Sequence, residues 1–344
     1  MLWWPLVYTR GSDLTAELWD GKCYSLPGMP SEPIVVAILG PTASGKSCLA
    51  MHLAAKFRGE IVNCDSQQMY RYFDLGTAKP SPEERAAIPH HFIDILNPEE
   101  QFAAGEYMRS ARQTLAEVAG RDKLPIVVAG TGFYFRALLY GLFPGPARNP
   151  ELRRRLQEKA EQKGREHLHR LLKRLDAAAA EKIHARDTHK VIRALEVCLT
   201  ARRPISELFR QGRQALEGFR MLKVGLNPPR SELYERINQR ARSLFERGLL
   251  EEVQDILARG VSPAASPFQA IGYRQALDFL EGRLTREEAI YHVQTKTRQY
   301  AKRQITWFRT ETGVQWFSGF GTDPKIQMEV QQYLSEQLAV APAR

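Results

Sequence analysis

The sequence predicts an α/β fold in which a doubly wound parallel sheet carries a helical insertion. Three observations predict it. Short, wholly apolar runs are each followed by a turn and then by a helical pattern, which is typical of strands buried on both faces of a parallel sheet. A linker rich in Pro and Gly at residues 141–150 interrupts this alternation. After it the chain becomes helical and heavily charged, and another apolar run then returns to the sheet.

The predicted elements follow in chain order. The strands are predicted over residues 34–39, 60–64, 125–129 and 221–226. The helical segments are predicted over residues 46–57, 104–119, about 151–200, 230–259 and 286–309. Within the charged segment Leu156, Leu168, Leu171, Leu172 and Leu175 are expected to form one apolar face. The strand at 60–64 ends at Asp65, and the strand at 125–129 ends at the turn Gly130-Thr131-Gly132.

These elements divide the chain into five segments. Residues 1–33 hold three of the five tryptophans and no lasting period. We expect them to be a disordered extension or a mis-called gene start, with Met29 as the natural start; a genuine extra segment packed on the surface is the alternative. The other segments are the first part of the core at 34–147, a basic helical insertion at 148–220, the rest of the core with C-terminal helices at 221–320, and a C-terminal tail helix at 321–344.

The composition is that of a globular protein with a basic surface. Of the 344 residues 43% are hydrophobic, which excludes a disordered chain and a small disulfide-stapled scaffold. The net charge of +10 favours a polyanionic partner such as nucleic acid without requiring one. The four cysteines form no C-x-x-C pair, which argues against a zinc site and for a reducing compartment. No apolar run approaches the roughly 20 residues that span a bilayer, so we expect a cytoplasmic protein.

A phosphate-binding loop follows the first strand. It fits the pattern G-x-x-x-x-G-K-[ST] and comprises Gly40, Pro41, Thr42, Ala43, Ser44, Gly45, Lys46 and Ser47. Glycines let successive backbone N–H groups point into one concavity at the positive end of a helix. Lys46 adds a mobile charge, and the Ser47 hydroxyl is suited to a Mg²⁺ ion that bridges two phosphates. The loop makes the predicted fold P-loop NTPase-like and indicates a ligand that contains diphosphate.

Asp65 is the strand-terminal carboxylate nearest to this loop. The strand at 125–129 ends without an acidic residue, where many nucleotide hydrolases hold Mg²⁺. Because the carboxyl ends of parallel strands meet at one edge of the sheet, Asp65 is expected beside the loop. A metal ligand, a general base and a helix N-cap are three roles that the pattern leaves open.

The segment 291–309 combines five Lys or Arg residues with aromatic side chains and has no acidic residue. Basic groups for phosphates and aromatic rings for stacking are typical of single-stranded nucleic-acid recognition. An amphipathic helix with a solvated basic face explains the pattern equally well.

A series of motif blocks resembles the family of bacterial tRNA dimethylallyltransferases (tRNA isopentenyltransferases, the IPP transferase family). The resemblance covers roughly residues 34–320. Besides the phosphate loop, it rests on DSQQMY at 65–70, DLGTAKP at 74–80, PHHFID at 89–94, VAGTG at 128–132, RALE at 193–196, IGYR at 271–274 and KRQITW at 302–307.

The resemblance implies a prenyl transfer to tRNA. The donor would be dimethylallyl diphosphate, and the acceptor would be N6 of the adenosine 3′ to the anticodon (position 37) in tRNAs reading codons that begin with U. The products would be N6-dimethylallyladenosine and diphosphate, with Mg²⁺ required. The phosphate loop would then hold a leaving group rather than ATP.

The resemblance also suggests roles for individual residues. Asp65 would be the general base that takes the proton from the adenine amino group. The Thr131 hydroxyl would donate to the bridging oxygen of the diphosphate, while Lys46 and Mg²⁺ on Ser47 stabilise the departing charge. Arg153 would close over the diphosphate.

The residues expected to contact tRNA by resemblance fall into four segments. The target base would be flipped into a channel, and the basic insertion would grip the anticodon stem. Gln269 stands where relatives often carry Arg, so its phosphate contact is expected to be weaker. We expect a monomer without a membrane association. The four segments comprise Asp65, Ser66, Gln67 and Gln68; His189, Lys190, Val191, Ile192 and Arg193; Gln269, Ala270, Ile271, Gly272, Tyr273 and Arg274; and Lys302, Arg303, Gln304, Thr306, Trp307 and Arg309.

Two other functional classes compete with this interpretation. A nucleotide kinase would need a metal-holding acid that the sequence does not show, and an enzyme that prenylates free AMP or ADP would need neither the helical insertion nor the basic-aromatic helix. A non-catalytic RNA-binding protein would not need Lys46, Ser47, Asp65 and Thr131 together.

Overall fold

Six parallel strands form the sheet in the part of the chain that the computed structural model describes, residues 32–339. They are Ile34–Leu39 (β1), Gly59–Cys64 (β2), His90–His91 (β3), Leu124–Ala129 (β4), Arg220–Leu226 (β5) and Val314–Phe317 (β6). Their order across the sheet is β3-β2-β4-β1-β5-β6. Val36 at the centre lies opposite Ile126 on one side and Leu222 on the other. The predicted α/β fold with a parallel sheet is confirmed.

Fourteen α-helices accompany the sheet in residues 32–339. They are Lys46–Phe57 (α1), Pro82–Ala87 (α2), Ala104–Gly120 (α3), Gly132–Tyr140 (α4), Pro150–Lys163 (α5), Arg165–Leu175 (α6), Ala177–Lys182 (α7), Thr188–Ala201 (α8), Ile205–Arg210 (α9), Arg230–Glu246 (α10), Leu249–Ala258 (α11), Tyr273–Leu280 (α12), Arg286–Phe308 (α13) and Pro324–Ala339 (α14). A short 3-10 helix covers Ser266–Gln269. None of these helices is both long and apolar enough to cross a membrane.

Several elements differ from the sequence prediction. Strands β3 and β6 and helices α2, α4 and α12 were not predicted. The helical run predicted at 230–259 is broken at Gly248, whose φ of +98° ends α10 and starts α11, because glycine adopts the left-handed conformation at little cost. The predicted extension at 1–33 lies outside the described residues except for its last two positions.

The chain divides into two compact units, which are described separately. The sheet unit comprises 32–138 and 216–339 among the described residues. Its core packs α1 and α14 against the apolar side chains of β1, β2, β4 and β5. Every residue of β1 is buried, as expected for a strand covered on both faces.

The helical unit, residues 139–215, has its own core within α5 to α9. Leu156, Leu168 and Leu172 are buried in it, and Leu171 is partly buried. Leu175 was expected on the same apolar face, but it is 37% exposed because α6 ends there and the chain turns at Asp176. The prediction for Leu175 was wrong.

Candidate active site

The phosphate loop joins β1 to α1 as predicted. Gly45, with φ +86°, immediately precedes Lys46, the first residue of α1. A Cβ at Gly45 would lie 2.8 Å from the backbone nitrogen of Thr322, and Gly321 N–H donates to Ser44 O at 2.8 Å. The turn after β6 therefore packs directly against the loop. Only glycine fits at position 45, for reasons of both backbone conformation and space.

Lys46 folds back over the loop. Its Nζ donates to Gly40 O at 2.9 Å and to Pro41 O at 2.8 Å. Burial lowers the pKa of Lys46 to about 8, against the opposing effect of the Asp65 charge, while nearby Arg240 lowers it further. Carbonyl oxygens are weak partners for an ammonium group, so an anion that enters the loop can replace them.

Two serine hydroxyls of the loop differ in exposure. Ser44 is fully buried, and its Oγ has no hydrogen-bond partner within residues 32–339. Ser47 is exposed at the first turn of α1. An unsatisfied buried hydroxyl is costly.

Asp65 lies at the carboxyl end of β2 beside the turn that follows β4. Its Oδ1 accepts the Gln67 N–H at 2.9 Å, so the carboxylate closes a tight turn. No helix of the described chain begins at Asp65, which removes the N-cap alternative. A side chain at Gly130 would overlap the Asp65 carboxylate, which explains why a glycine follows β4. Burial raises the pKa of Asp65, although the Gln67 N–H and the charges of Lys46 and Arg240 oppose this.

Thr131 contacts the same turn. Its Oγ1 accepts the Ser66 N–H at 3.1 Å and lies 3.3 Å from Ser66 Oγ, to which it donates. The second bond is long, so a substrate oxygen can compete for the Thr131 proton. The structure thus brings Lys46, Asp65 and Thr131 to one edge of the sheet, as the sequence predicted.

Arg240 is a site residue that sequence reasoning missed. It lies in α10, close enough to Asp65 and Lys46 to interact electrostatically with both. Burial lowers the pKa of Arg240, yet a guanidinium is so weak an acid that it stays charged. Two cations and one carboxylate therefore share a poorly solvated region, which favours an anionic ligand. The position in α10 gives no sequence signal, since Arg236, Arg242 and Arg247 stand in the same segment.

The residues predicted to contact tRNA on α13 divide between two faces. Lys302, Thr306 and Arg309 are exposed and follow helical spacing, so they share a face. Arg303 is partly exposed, with its guanidinium 5.7 Å from the Tyr300 ring.

Gln304 and Trp307 contact the phosphate loop and the turn after β4 instead. Gln304 is buried, and its Oε1 accepts the Thr42 N–H at 2.7 Å while its Nε2 donates to Gly130 O at 2.7 Å. Trp307 packs on Gly132, with the Arg136 guanidinium 4.7 Å from its ring. Direct contact of the Gln304 side chain with tRNA does not fit this burial, and the expectation for it is corrected to a supporting role.

The segment 269–274 also contains a buried member. The Tyr273 hydroxyl accepts the Gly76 N–H at 3.0 Å and donates to Glu252, so Tyr273 anchors the DLGTAKP block rather than facing outward. Gln269 is exposed, and Ile271 and Arg274 are partly exposed; Arg274 pairs with Asp278 at 3.3 Å. Ala270 is partly exposed, and Gly272, with φ +102°, precedes α12.

The two motif blocks that follow β2 are joined by a buried lysine. The Lys79 side chain is 2% exposed and pairs with Asp74 at 2.7 Å and with Asp94 at 2.6 Å. Gln68 donates to the carbonyls of Thr77 and Ala78, each at 3.1 Å. The two blocks are thus joined to each other by Lys79, and the first of them holds the segment 65–68 in place through Gln68.

Gln67 differs from its neighbours in this segment. Its Oε1 is buried and has no hydrogen-bond partner among residues 32–339. It therefore offers an acceptor next to Asp65.

In the helical unit, Arg153 and the segment 189–193 meet at one cleft of about 300 Å³. Arg153 pairs with buried Glu196 at 2.8 Å, and Arg193 pairs with the same carboxylate at 2.7 Å. Val191 is buried, so its expected role also changes from contact to support, whereas Ile192 is largely buried but still lines the cleft. Lys190 pairs with Asp187 at 2.6 Å. The cleft is lined by Arg148, Pro150, Arg153, Arg154, Gln157, His189 and Ile192.

The comparisons with known proteins show the family of the chain. A family model described as IPP transferase matches residues 68–311, which is more than half of the chain. A tRNA dimethylallyltransferase of Koribacter versatilis is 53% identical over 304 residues, covering 88% of this chain and 99% of that protein.

The chain belongs to the IPP transferase family. A second relative in this family, the tRNA dimethylallyltransferase of Solibacter usitatus, is 55% identical over 293 residues and covers 85% of this chain and 95% of its own length. The crystal structure of a Bacillus halodurans tRNA isopentenylpyrophosphate transferase matches with a TM-score of 0.66 at 36% identity, over 90% of this chain and 97% of that one. A eukaryotic dimethylallyltransferase acting on tRNA matches with a TM-score of 0.75 at 27% identity, and the match covers 91% of this chain and 81% of that one.

Proposed function

We propose that this chain transfers a dimethylallyl group from dimethylallyl diphosphate to N6 of adenosine 37 in tRNAs that read codons beginning with U. Membership of the IPP transferase family and the names of the relatives support the group and the tRNA acceptor. The position of the adenosine in the tRNA and the set of codons that these tRNAs read go beyond the names of the relatives and are part of the proposal. The observation that carries it is the Asp65 carboxylate, with its raised pKa, beside a phosphate loop and the partly buried Arg240.

The donor side of the proposed site binds diphosphate. The backbone N–H groups at the start of α1, Lys46 and Arg240 supply the positive charge. As the bond from C1 of the prenyl group to oxygen breaks, the electron pair stays on the diphosphate. Cations fixed before the reaction then stabilise that charge without reorganising. The Thr131 hydroxyl would donate to the bridging oxygen.

Mg²⁺ fits this site through Ser47. The residue is exposed in the first turn of α1 next to Lys46, where a metal on the diphosphate would meet it. Within residues 32–339 no group of three or more His, Cys, Asp or Glu is arranged to hold a metal. The remaining ligands would be diphosphate and water oxygens, a set that Mg²⁺ commonly takes. When bound, Mg²⁺ would neutralise part of the leaving-group charge.

The acceptor side requires a base. The adenine amino nitrogen forms the new bond to C1, and one of its two protons must leave. Asp65 would take this proton, and a raised pKa makes its carboxylate a stronger base than an exposed aspartate. The buried Gln67 Oε1 would accept the second N–H of the amino group.

The proposed tRNA contacts are the exposed members of the predicted set. Lys302, Thr306 and Arg309 form one face of α13. In the helical unit the cleft that His189 lines offers the guanidinium groups of Arg148, Arg153 and Arg154 to the phosphate backbone. Closure of Arg153 over the diphosphate remains a prediction.

The acceptor can be tested in one assay. Radiolabelled dimethylallyl diphosphate and Mg²⁺ are supplied with total tRNA or with free AMP. We expect label in tRNA and none in AMP. Label in AMP alone would contradict the tRNA acceptor while leaving the diphosphate chemistry intact.

A further inference from the structure

Gln304 makes two hydrogen bonds that connect the phosphate loop to the turn after β4. Its Oε1 accepts the Thr42 N–H at 2.7 Å, and its Nε2 donates to Gly130 O at 2.7 Å. Gln304 is only 5% exposed, so water does not compete for the groups that form these two bonds. One amide thus holds both segments that border the reaction site.

The Gly130 peptide is held by several hydrogen bonds and by close packing. Gly130 and Thr131 both donate their N–H groups to Cys64 O, at 3.1 and 2.8 Å. The Asp65 carboxylate lies directly against the Gly130 Cα. Tyr300, one turn before Gln304 on α13, adds a further donor to Gly130 O at 3.0 Å. Any movement of this peptide shifts both Asp65 and Thr131.

We propose that Gln304 is a positioning residue that sets the distance between the diphosphate held by the phosphate loop and the pair Asp65 and Thr131. It touches no substrate. It acts through the Thr42 N–H on one side and the Gly130 carbonyl on the other. An in-line transfer needs the prenyl carbon, the base and the leaving oxygen in register, and displacement by about 1 Å costs about 10²-fold in rate. This inference rests on the proposed prenyl transfer.

The position of Gln304 on α13 adds a consequence. Ala301, Gln304 and Phe308 form the buried face of this helix, whereas Lys302, Thr306 and Arg309 form the exposed basic face. The same helix therefore carries the proposed tRNA contacts on one side and the donor-site support on the other. Replacement of Gln304 should leave tRNA binding intact and change only the donor side.

The first variant is Gln304→Leu, which keeps a side chain of similar size and removes both hydrogen bonds. We expect kcat/KM for dimethylallyl diphosphate to fall about 10- to 100-fold, with the affinity for an anticodon stem-loop unchanged within about twofold. A matched control is Gln337→Leu on α14. It removes a 2.7 Å bond to Arg220 at the start of β5, the opposite edge of the sheet. That variant is expected to keep wild-type kcat/KM whatever its melting temperature.

The second variant is Gln304→Glu, and its readout is a pH profile. A protonated carboxyl accepts from Thr42 N–H and donates to Gly130 O, as the amide does, whereas the ionised form cannot donate. Burial favours the protonated form. We divide kcat/KM of each variant by the wild-type value at the same pH. At low pH this ratio should be higher for Gln304→Glu than for Gln304→Leu, and for Gln304→Glu it should fall as pH rises.

The outcomes separate the inference from the function on which it rests. If wild type transfers no label to tRNA, the proposed function fails. If wild type is active and Gln304→Leu keeps its kcat/KM, the positioning role is overturned. It is also overturned if Gln304→Glu equals Gln304→Leu at every pH, or if tRNA affinity falls with kcat/KM.

Discussion

Asp65 is a carboxylate whose surroundings disfavour its charge. Burial raises its pKa, and Lys46 and Arg240 recover only part of the lost solvation. The proposed reaction uses the ionised form as a base, so the rate falls as pH falls through this raised pKa. A base with a pKa nearer to neutrality accepts a proton more readily than an exposed aspartate does.

Replacement of Asp65 tests this role. Asp65→Asn keeps the hydrogen bond to Gln67 N–H but cannot take a proton. We expect turnover to fall by about 10²–10⁴, as is typical when a general base is lost, while tRNA affinity stays near wild type. Steady-state label transfer and filter binding measure the two quantities. The exposed Asp255→Asn on α11 serves as the control, and equal turnover of the two variants would disprove the role.

Lys46 should determine how the rate depends on pH on the alkaline side. Its pKa is about 8 in the free enzyme, mainly because of burial. The lysine therefore loses its charge as pH rises through about 8, and diphosphate binding weakens. We expect kcat/KM for dimethylallyl diphosphate to decline over this range. Lys46→Arg keeps its charge, so its profile should lack this decline even if its maximum is lower; an unchanged decline would assign it to another group.

At the scale of single residues, the sequence predicted those site residues that belong to a recognisable motif. The phosphate loop, Asp65 and Thr131 were found because each stands where a strand ends. Arg240 was missed because it lies inside a helix among other arginines, and only the packing of α10 places it near Asp65. The role of Gln304 was missed because no pattern shows which face of a helix is buried against a loop 262 residues away in sequence.

At the scale of elements, α13 has a buried face and an exposed basic face, for which we propose different functions. Its exposed basic face is expected to bind phosphates, which makes tRNA binding dependent on salt. The double variant Lys302→Ala with Arg309→Ala should weaken tRNA binding and reduce the slope of log K against log salt by about 0.7–0.9 for each phosphate that is no longer neutralised.

A control variant removes the same charge elsewhere. Lys56 at the end of α1 and Lys325 on α14 are both exposed, and Lys56→Ala with Lys325→Ala should leave the slope unchanged. Titration of a fluorescent anticodon stem-loop at several salt concentrations provides the slopes. If both double variants behave alike, α13 has a structural role only.

The elements that the sequence predicted are those with long, regular patterns. Strand β1 was predicted with the bounds that the structure shows, because six apolar residues lie between a proline and a glycine. Strand β3 has only two residues, and β6 has four residues at the edge of the sheet, of which only Phe317 is buried, so neither produces a distinctive run. Helix α2 is a single capping-box turn whose residues are all at least partly exposed, so it has no apolar period.

At the scale of the whole molecule, the parallel sheet explains why distant motifs cooperate. The loops after β1, β2 and β4 end at one edge, and the turn after β6 packs on the first of them. The buried Lys79 joins the blocks at 74–80 and 89–94 next to that edge. The solved relatives share the fold that produces this arrangement.

The central claim is that this site prenylates the adenosine 3′ to the anticodon. The most direct test maps label from dimethylallyl diphosphate in a tRNA that reads a codon beginning with U, with adenosine or guanosine at position 37. The account predicts label at adenosine 37, none in the guanosine variant, and about 10²–10⁴ times slower labelling by Asp65→Asn. Equal labelling of both tRNAs, or label at another nucleotide, would contradict it.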